Sequence, residues 1–484
     1  MIMPSDFAAI HRQFRIIGAA LMRVNLNNTH SGNMSCRDPR ESDRFWITTS
    51  GSACGDLSPA DLVAVRFDDM RYEAQVRPSS ETNTHRRVLE LPGANACIHC
   101  HSIASTLLGF ETPQKPIFLL GPDFPGPDLK EYLFQPVDVW GAGLVGAVTV
   151  GVYQNKVGSA EMEERIPGYL RQDPITIVMG HGPFARGGSL EECLHYLSVL
   201  ENSVAVVIAL RRRGIDTLAI QRAIRTHAAD AVFPMPLRRL VAEAALSGRI
   251  ADPEISADFG YWLSYNYSLG LGAFGTGSMS RRVSADEMIF CPMSAAPEGV
   301  EVPLHRLPLL AAEPDAADVN LHRLIYAHTP FTACMAAAAP LATAEGLAAL
   351  LEAHGLEALT AKTDRVGGNA EQPPVVVPID AEAVYYKVRL PVVGAAAVGS
   401  AENPIPSLLR RADGCCLMAG CGVFAAGEEN LGQAAYRISL AERIARFRQE
   451  VDLNHRLLGG PPVEAFENEA PSDGPAVAPS VRPQ

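Results

Sequence analysis

Ala96-Cys97-Ile98-His99-Cys100-His101-Ser102 holds the one His-x-His of the chain, and small and apolar residues lead into it. The pattern predicts a strand closed by a Ser-rich segment. Side chains alternate along a strand, so His99 and His101 share one face while Ile98 and Cys100 point into the opposite layer. Two imidazoles so placed form a two-toothed metal clamp. A catalytic site that keeps one position open needs a third ligand. His181 is the best candidate, because the apolar run Val178-Met179 ends there in a turn flanked by Gly180 and Gly182, where backbone can approach closely. Cys97-x-x-Cys100 is a poor joint zinc clamp, since alternation separates its thiols.

At 484 residues the chain exceeds one ordinary core, and the usual domain size suggests two or three. An apolar share of 47% and a charged share of 20% are those of a globular protein and exclude disorder for most of it. The net charge of −13 argues against an extended nucleic-acid surface. No apolar run free of charge is long enough to span a bilayer, and no leader-like segment opens the chain. The expectation is therefore a cytoplasmic protein with reduced cysteines and neither membrane nor nucleic acid as partner.

In chain order, Asp6 to Leu26 has apolar residues at helical spacing. The turn Asn27 to Ser35 follows, then a strand at Phe45-Thr49, a small-residue turn at Ser50-Gly51-Ser52 and a short capped helix at Ser58-Val63. Ser79 or Ser80 is placed to cap the helix carrying Glu81 and His85. Strand-like runs recur at Pro116-Leu120, Leu144-Tyr153 and Ile175-Met179. An acidic helix starts at Ser159, and Ser189 caps a long helix through Leu210.

Three small-polar turns, Gly32-Asn33, Ser50-Gly51 and Ser79-Ser80, thus surround the histidine clamp. Backbone N–H groups and hydroxyls at such turns bind oxyanions, so the residues read as a phosphate or carboxylate pocket beside a metal. A metal chelated by a hydroxyl and its neighbouring carbonyl polarises the carbonyl and stabilises an enediolate. Glu81 is placed to move the proton, and packing near the clamp would raise its pKa toward neutrality. His30, His85 and His195 read as polar contacts or core groups rather than ligands.

Gly32-Asn33-x-Ser35, Thr48-Thr49-Ser50-Gly51, Ser79-Ser80-Glu81-x-x-x-His85, His99-x-His101 and Gly180-His181-Gly182 occur in the order and rough spacing of the class II aldolase/adducin family, which the first 210 or so residues resemble. The resemblance implies an α/β fold, a three-layer αβα domain. It implies that His99, His101 and His181 bind a divalent metal, most often Zn2+, with Mn2+, Co2+ or Mg2+ as alternatives. Asn33, Ser50, Gly51, Ser79 and Ser80 would hold a substrate phosphate, with Glu81 as the catalytic residue. His30 stands where the aldolases often have Thr. Family epimerases tend to carry Asp at the position of Glu81 and aldolases Glu, so retro-aldol cleavage of a small phosphorylated hydroxy-carbonyl compound ranks first. Decarboxylation ranks second, and epimerisation or dehydration below that. Adducin supplies the non-enzymatic alternative, an assembly module, against which the intact His triad and Glu81 count.

The second half repeats the first. Asp318 to Arg323 aligns with Glu81 to Arg86, and Ala333 to Ala338 with Ala96 to His101; residue 322 against 85 and 334 against 97 both give an offset of 237. Gly420-Cys421-Gly422 matches Gly180-His181-Gly182, Gly277-Ser278-Met279-Ser280 matches Gly32 to Ser35, and Val398 to Glu402 matches Val157 to Glu161. A repeat of the whole domain is the economical explanation. In the copy His99 becomes Ala336, His101 becomes Ala338, His181 becomes Cys421, and the Ser pair becomes Ala316-Ala317. The expected organisation is a catalytic domain over 1–213, a helical linker over 214–249, a degenerate copy without metal ligands over 250–459, and a disordered tail over 460–484. Relatives in the family are usually cyclic oligomers, so a homo-oligomer is expected, two tandem chains forming a pseudo-tetramer.

Overall fold

The computed structural model describes residues 5–28, 30–108, 131–155, 157–226, 248–272, 275–292, 302–310, 317–356, 373–380, 383, 388–394 and 403–459. The expected strand at Pro116-Leu120, the Val398-Glu402 match and the tail over 460–484 lie outside these residues, as does most of the linker. The chain divides into two compact units, and Val137–Gly143 packs with the second although it lies early in the sequence.

The first unit is built on eight strands: β1 (Asn33–Arg37), β2 (Arg44–Thr48), β3 (Leu62–Arg66), β4 (Ala96–His99), β5 (Glu131–Phe134), β6 (Val148–Gly151), β7 (Ile175–Val178) and β8 (Gly182–Gly187), in sheet order β3-β2-β1-β4-β8-β7-β6-β5. Only β6 and β7 run parallel. Helices α1 (Ser5–Arg23), α2 (Thr82–Leu89), α3 (Ile103–Leu107), α4 (Ala160–Leu170) and α5 (Leu190–Arg212) supply the covering layers. Alternation along the strands sends Phe45, Ile47, Val63, Val65, Cys97 and Phe184 into one core with Val88 and Leu89 of α2 and Met162, Ile166 and Leu170 of α4. On the opposite face α1 packs beside Met34, and a Cβ at Gly18 would lie 2.0 Å from the Cys54 carbonyl oxygen and 3.4 Å from Met34 Cε. Two helical layers with a sheet between them give the expected αβα architecture.

The second unit follows the same plan. After α6 (Thr217–Thr226), β9 (Arg249–Ile250) and α7 (Pro253–Ser268) come β10 (Gly277–Arg282), β11 (Glu287–Pro292), β12 (Leu304–Pro308), α8 (Ala317–His328), β13 (Ala333–Ala337), α9 (Pro340–His354), β14 (Val375–Val376), β15 (Leu390–Gly394), α10 (Ile405–Arg411), β16 (Cys415–Ala419), β17 (Gly422–Gly427) and α11 (Leu431–Leu457). Their order β14-β15-β16-β17-β13-β10-β11-β12-β9 is that of the first sheet with one strand added at its edge, and β15–β16 is again parallel. Register makes the repeat residue-specific. Asn33 faces His99 and His99 faces Phe184 in the first sheet; Ser278 faces Ala336 and Ala336 faces Phe424 in the second.

Several local expectations are corrected. The cap of α2 is Glu81 rather than Ser79 or Ser80, although Ser79 Oγ accepts the Glu81 N–H at 3.3 Å. Of Leu144–Tyr153 only Val148–Gly151 is strand, because Gly141–Val145 winds into a π-helical turn. β4 ends at His99, so His101 lies just beyond the strand. One helix among the described residues, α5, is long and apolar enough to cross a membrane by composition. The structure buries 72% of its apolar window inside the protein, where its lack of a polar face is expected of a core helix.

Candidate metal and substrate site

β4 carries His99 to the end of the strand, the next turn presents His101, and the hairpin between β7 and β8 presents His181. Their ligand atoms all lie within 4.8 Å of one another. His101 Nε2 is 3.0 Å and His181 Nε2 3.4 Å from His99 Nε2. His99 is fully buried, its ring stacked on Phe184 at 4.1 Å. Its Nδ1–H donates to the Pro183 carbonyl at 2.9 Å, which fixes the tautomer and turns the Nε2 lone pair toward the other two rings. Burial holds the pKa of His99 well below the usual imidazole value, and burial lowers that of His101 against the opposing charge of Glu81. Neutral imidazole is the form that binds metal. Three converging imidazole nitrogens beside a carboxylate are a donor set suited to a divalent ion of the zinc type.

Glu81 completes the cluster, with Oε2 3.6 Å from His99 Nε2. It is 3% exposed. Asn33 Nδ2 donates to it at 2.9 Å. Burial raises its pKa above the normal carboxylate range, opposed by the Asn33 hydrogen bond, by His181 and His101, and by the Gly158 N–H. A carboxylate so poised exchanges protons more readily near neutrality than an exposed one.

The anion turns meet through backbone pairing. Ser50 N–H donates to Arg77 O at 3.0 Å and Ser79 N–H to Thr48 O at 3.1 Å, which brings Ser50-Gly51 beside Ser79-Ser80. Ser79 is buried, whereas Ser50, Gly51 and Ser80 are exposed. Asn33 is turned toward Glu81. Nδ1 of His30 lies 3.1 Å from the Gly51 carbonyl, so His30 is a polar contact at the rim. His85 is a core group: fully buried, Nδ1 2.6 Å from Ser35 Oγ, and held by burial at a pKa of about 3.

Two supports were not read from the sequence. Asn27 Oδ1 accepts from the His101 backbone at 3.3 Å and from Ser31 Oγ at 2.8 Å, tying the first turn to His101. Glu201 of α5 accepts from Ala104 N at 2.6 Å and from Ser105 N at 2.9 Å and Oγ at 2.7 Å, anchoring the helix after His101. The second unit repeats the arrangement, where Glu442 accepts from the Leu341 and Ala342 N–H groups at 3.2 and 2.8 Å.

In the second unit the positions that match the three histidines hold Ala336, Ala338 and Cys421, all buried. The carboxylate survives as Asp318, pushed up to about 7 by burial. His322 keeps the Ser–His pair, with Nδ1 2.5 Å from Ser280 Oγ.

The profile of the family described as class II aldolase and adducin N-terminal domain matches residues 13–208 and 270–448. Methylthioribulose-1-phosphate dehydratase of Acidiphilium cryptum is 31% identical over 196 residues, covering 39% of this chain and 85% of that protein. The enzyme of the same name from Gluconacetobacter diazotrophicus is 28% identical over 214 residues, covering 44% and 98%. Among solved structures, l-fuculose-1-phosphate aldolase from Thermus thermophilus is similar at 25% identity and a TM-score of 0.34, covering 42% of this chain and 95% of that one. A sugar-phosphate aldolase from Thermotoga maritima is similar at 16% and 0.33, covering 43% and 97%. With two profile matches that coincide with two sheets of one topology, the chain belongs to the class II aldolase and adducin family and carries its domain twice.

Proposed function

We propose that the chain is a divalent-metal-dependent lyase acting on a small phosphorylated hydroxy-carbonyl compound, with zinc as the leading ion. The observation that carries this is the convergence of three imidazoles within 4.8 Å, with Glu81 Oε2 3.6 Å from His99 Nε2. A cation bound there supplies Lewis-acid stabilisation of the negative charge that develops on the substrate's oxygens. The turns at Ser50-Gly51 and Ser79-Ser80 would hold the phosphate and so fix which carbon faces Glu81, whose carboxylate Asn33 orients. Glu81, its basicity raised by burial, takes the proton and returns it.

Two bonds compete once an enediolate can form. If Glu81 takes the proton from carbon next to the carbonyl, the β-hydroxyl departs and, with a proton, leaves as water. If it takes the proton of the β-hydroxyl, the C–C bond breaks and an aldehyde departs. The names of the relatives favour water loss, and the Glu at position 81 is the motif that favours C–C cleavage. Incubating zinc-loaded protein with a panel of ketose 1-phosphates, read by mass spectrometry, separates a product lighter by one water from paired triose and aldehyde fragments. His99→Ala is expected to lose both tight metal and turnover. Failure of the wild-type chain to retain stoichiometric metal would sink the lyase reading and leave an assembly module.

A further inference from the structure

Ala336, Ala338 and Cys421, all buried, form an apolar patch where the first unit has three imidazoles. In the second unit it is met by Val137–Gly143, the segment that follows β5 in the chain yet packs with this unit. Val139 is 1% exposed and belongs to the same apolar cluster as Ala336, Met418 and Cys421. Its N–H donates to the Gly420 carbonyl at 2.7 Å. Trp140 is buried, and its Nε1–H donates to the Cys421 carbonyl at 2.8 Å. Asp138 Oδ2 accepts the Gly141 N–H at 2.9 Å and closes the segment into a turn. That turn is itself part of the repeat: Pro136-Val137-Asp138 recurs as Pro378-Ile379-Asp380, and Asp380 Oδ1 accepts the Ala383 N–H at 3.0 Å.

We infer that the former metal position of the second unit has become a docking socket whose occupant is this chain's own Val137–Gly143 segment. Recognition uses one apolar side chain, one indole and two N–H donors aimed at successive carbonyls of the turn that once carried the third ligand. Each component answers a loss in the copy. Valine shares one apolar cluster with the Ala336 methyl and the Cys421 thiol that stand in place of imidazoles, and the two donors pair with the Gly420 and Cys421 carbonyls. A socket filled in this way is closed to metal and to substrate. The inference is independent of which reaction the first unit performs.

The test uses the full chain and the double variant Val139→Gly/Trp140→Ala. Native-state alkylation with iodoacetamide is read peptide by peptide at Cys421, with Cys334 in the same core as internal control. Both thiols are buried, so the wild type should react slowly at each. In the variant, alkylation of Cys421 should rise at least tenfold while Cys334 stays protected, and a synthetic peptide spanning 135–145 should restore protection. Three outcomes overturn the inference. Cys421 stays protected, showing that the unit's own packing seals the patch. Cys421 and Cys334 react together, showing an ordinary core segment rather than a docked one. The peptide restores nothing, showing no socket. Metal content measured on the same samples reports the first unit separately.

Discussion

Glu81 stands at the N-cap position of α2 without a side-chain capping hydrogen bond, and its carboxylate turns instead toward three imidazoles. Glu81→Gln preserves its shape and the hydrogen-bonding capacity toward Asn33 while removing the exchangeable proton. Turnover should fall by about 10²–10⁴-fold with the metal retained, as steady-state rates and elemental analysis would show; a variant that loses its metal instead would make Glu81 a ligand. The buried histidines predict a pH effect of definite sign. His322 has a folded pKa of about 3 against 6.5 for the ordinary group, so below pH 6.5 the unfolded chain takes up a proton that the folded chain refuses. Stability is lost as pH falls from 6.5 toward 3. Between pH 7 and pH 5 this amounts to about 2 kcal/mol for one such group. Asp318 and Glu442, both raised to about 7, act in the opposite direction throughout the range from pH 7 to pH 5. Urea melts of the wild type and of His322→Asn at the two pH values isolate the histidine, because the wild type should lose about 2 kcal/mol more than the variant.

At the scale of elements, the hairpin between β7 and β8 and its counterpart between β16 and β17 are the same object with different cargo. Gly182 has φ +152° and a Cβ there would lie 2.1 Å from the Cys100 carbonyl; Gly422 has φ +139° and would meet the Ala337 carbonyl at 2.3 Å. Alanine at either position forces the hairpin off its neighbour and should cost about 2–4 kcal/mol. Gly182→Ala should also displace His181 and weaken metal retention, whereas Gly422→Ala should leave metal content unchanged. Denaturation curves with elemental analysis distinguish the two. The hairpins, α4 with its Ser159 cap and α5 with its Ser189 cap were legible because each rests on a local signal: a glycine pair, a cap, a helical period. The run Leu144–Tyr153 misled because small and apolar residues suit a strand and a π-helical turn alike, and only the surrounding packing chooses.

For the whole molecule, two sheets of one topology and one set of ligands predict one metal per chain. Elemental analysis finding two would refute it. Chelation should destabilise the first unit alone, by about 2.7 kcal/mol where metal had stood at a hundredfold over its Kd, and hydrogen exchange resolved by peptide would show protection lost there and kept in the second unit. Light scattering tests whether two tandem chains associate, supplying four family domains of which half bear metal. The repeat and the candidate residues His99, His101, His181 and Glu81 were legible in the sequence itself, because a gap-free offset, a two-residue spacing, a glycine-flanked turn and a helix start are properties of the line of residues. Tertiary structure alone decided that Asn33 serves Glu81 from 48 residues away, that Glu201 holds the helix after His101 across 97, and that Trp140 donates to Cys421 across 281. Local periodicity says which face a side chain takes. It carries no mark of the distant group that will meet that face once the chain has folded.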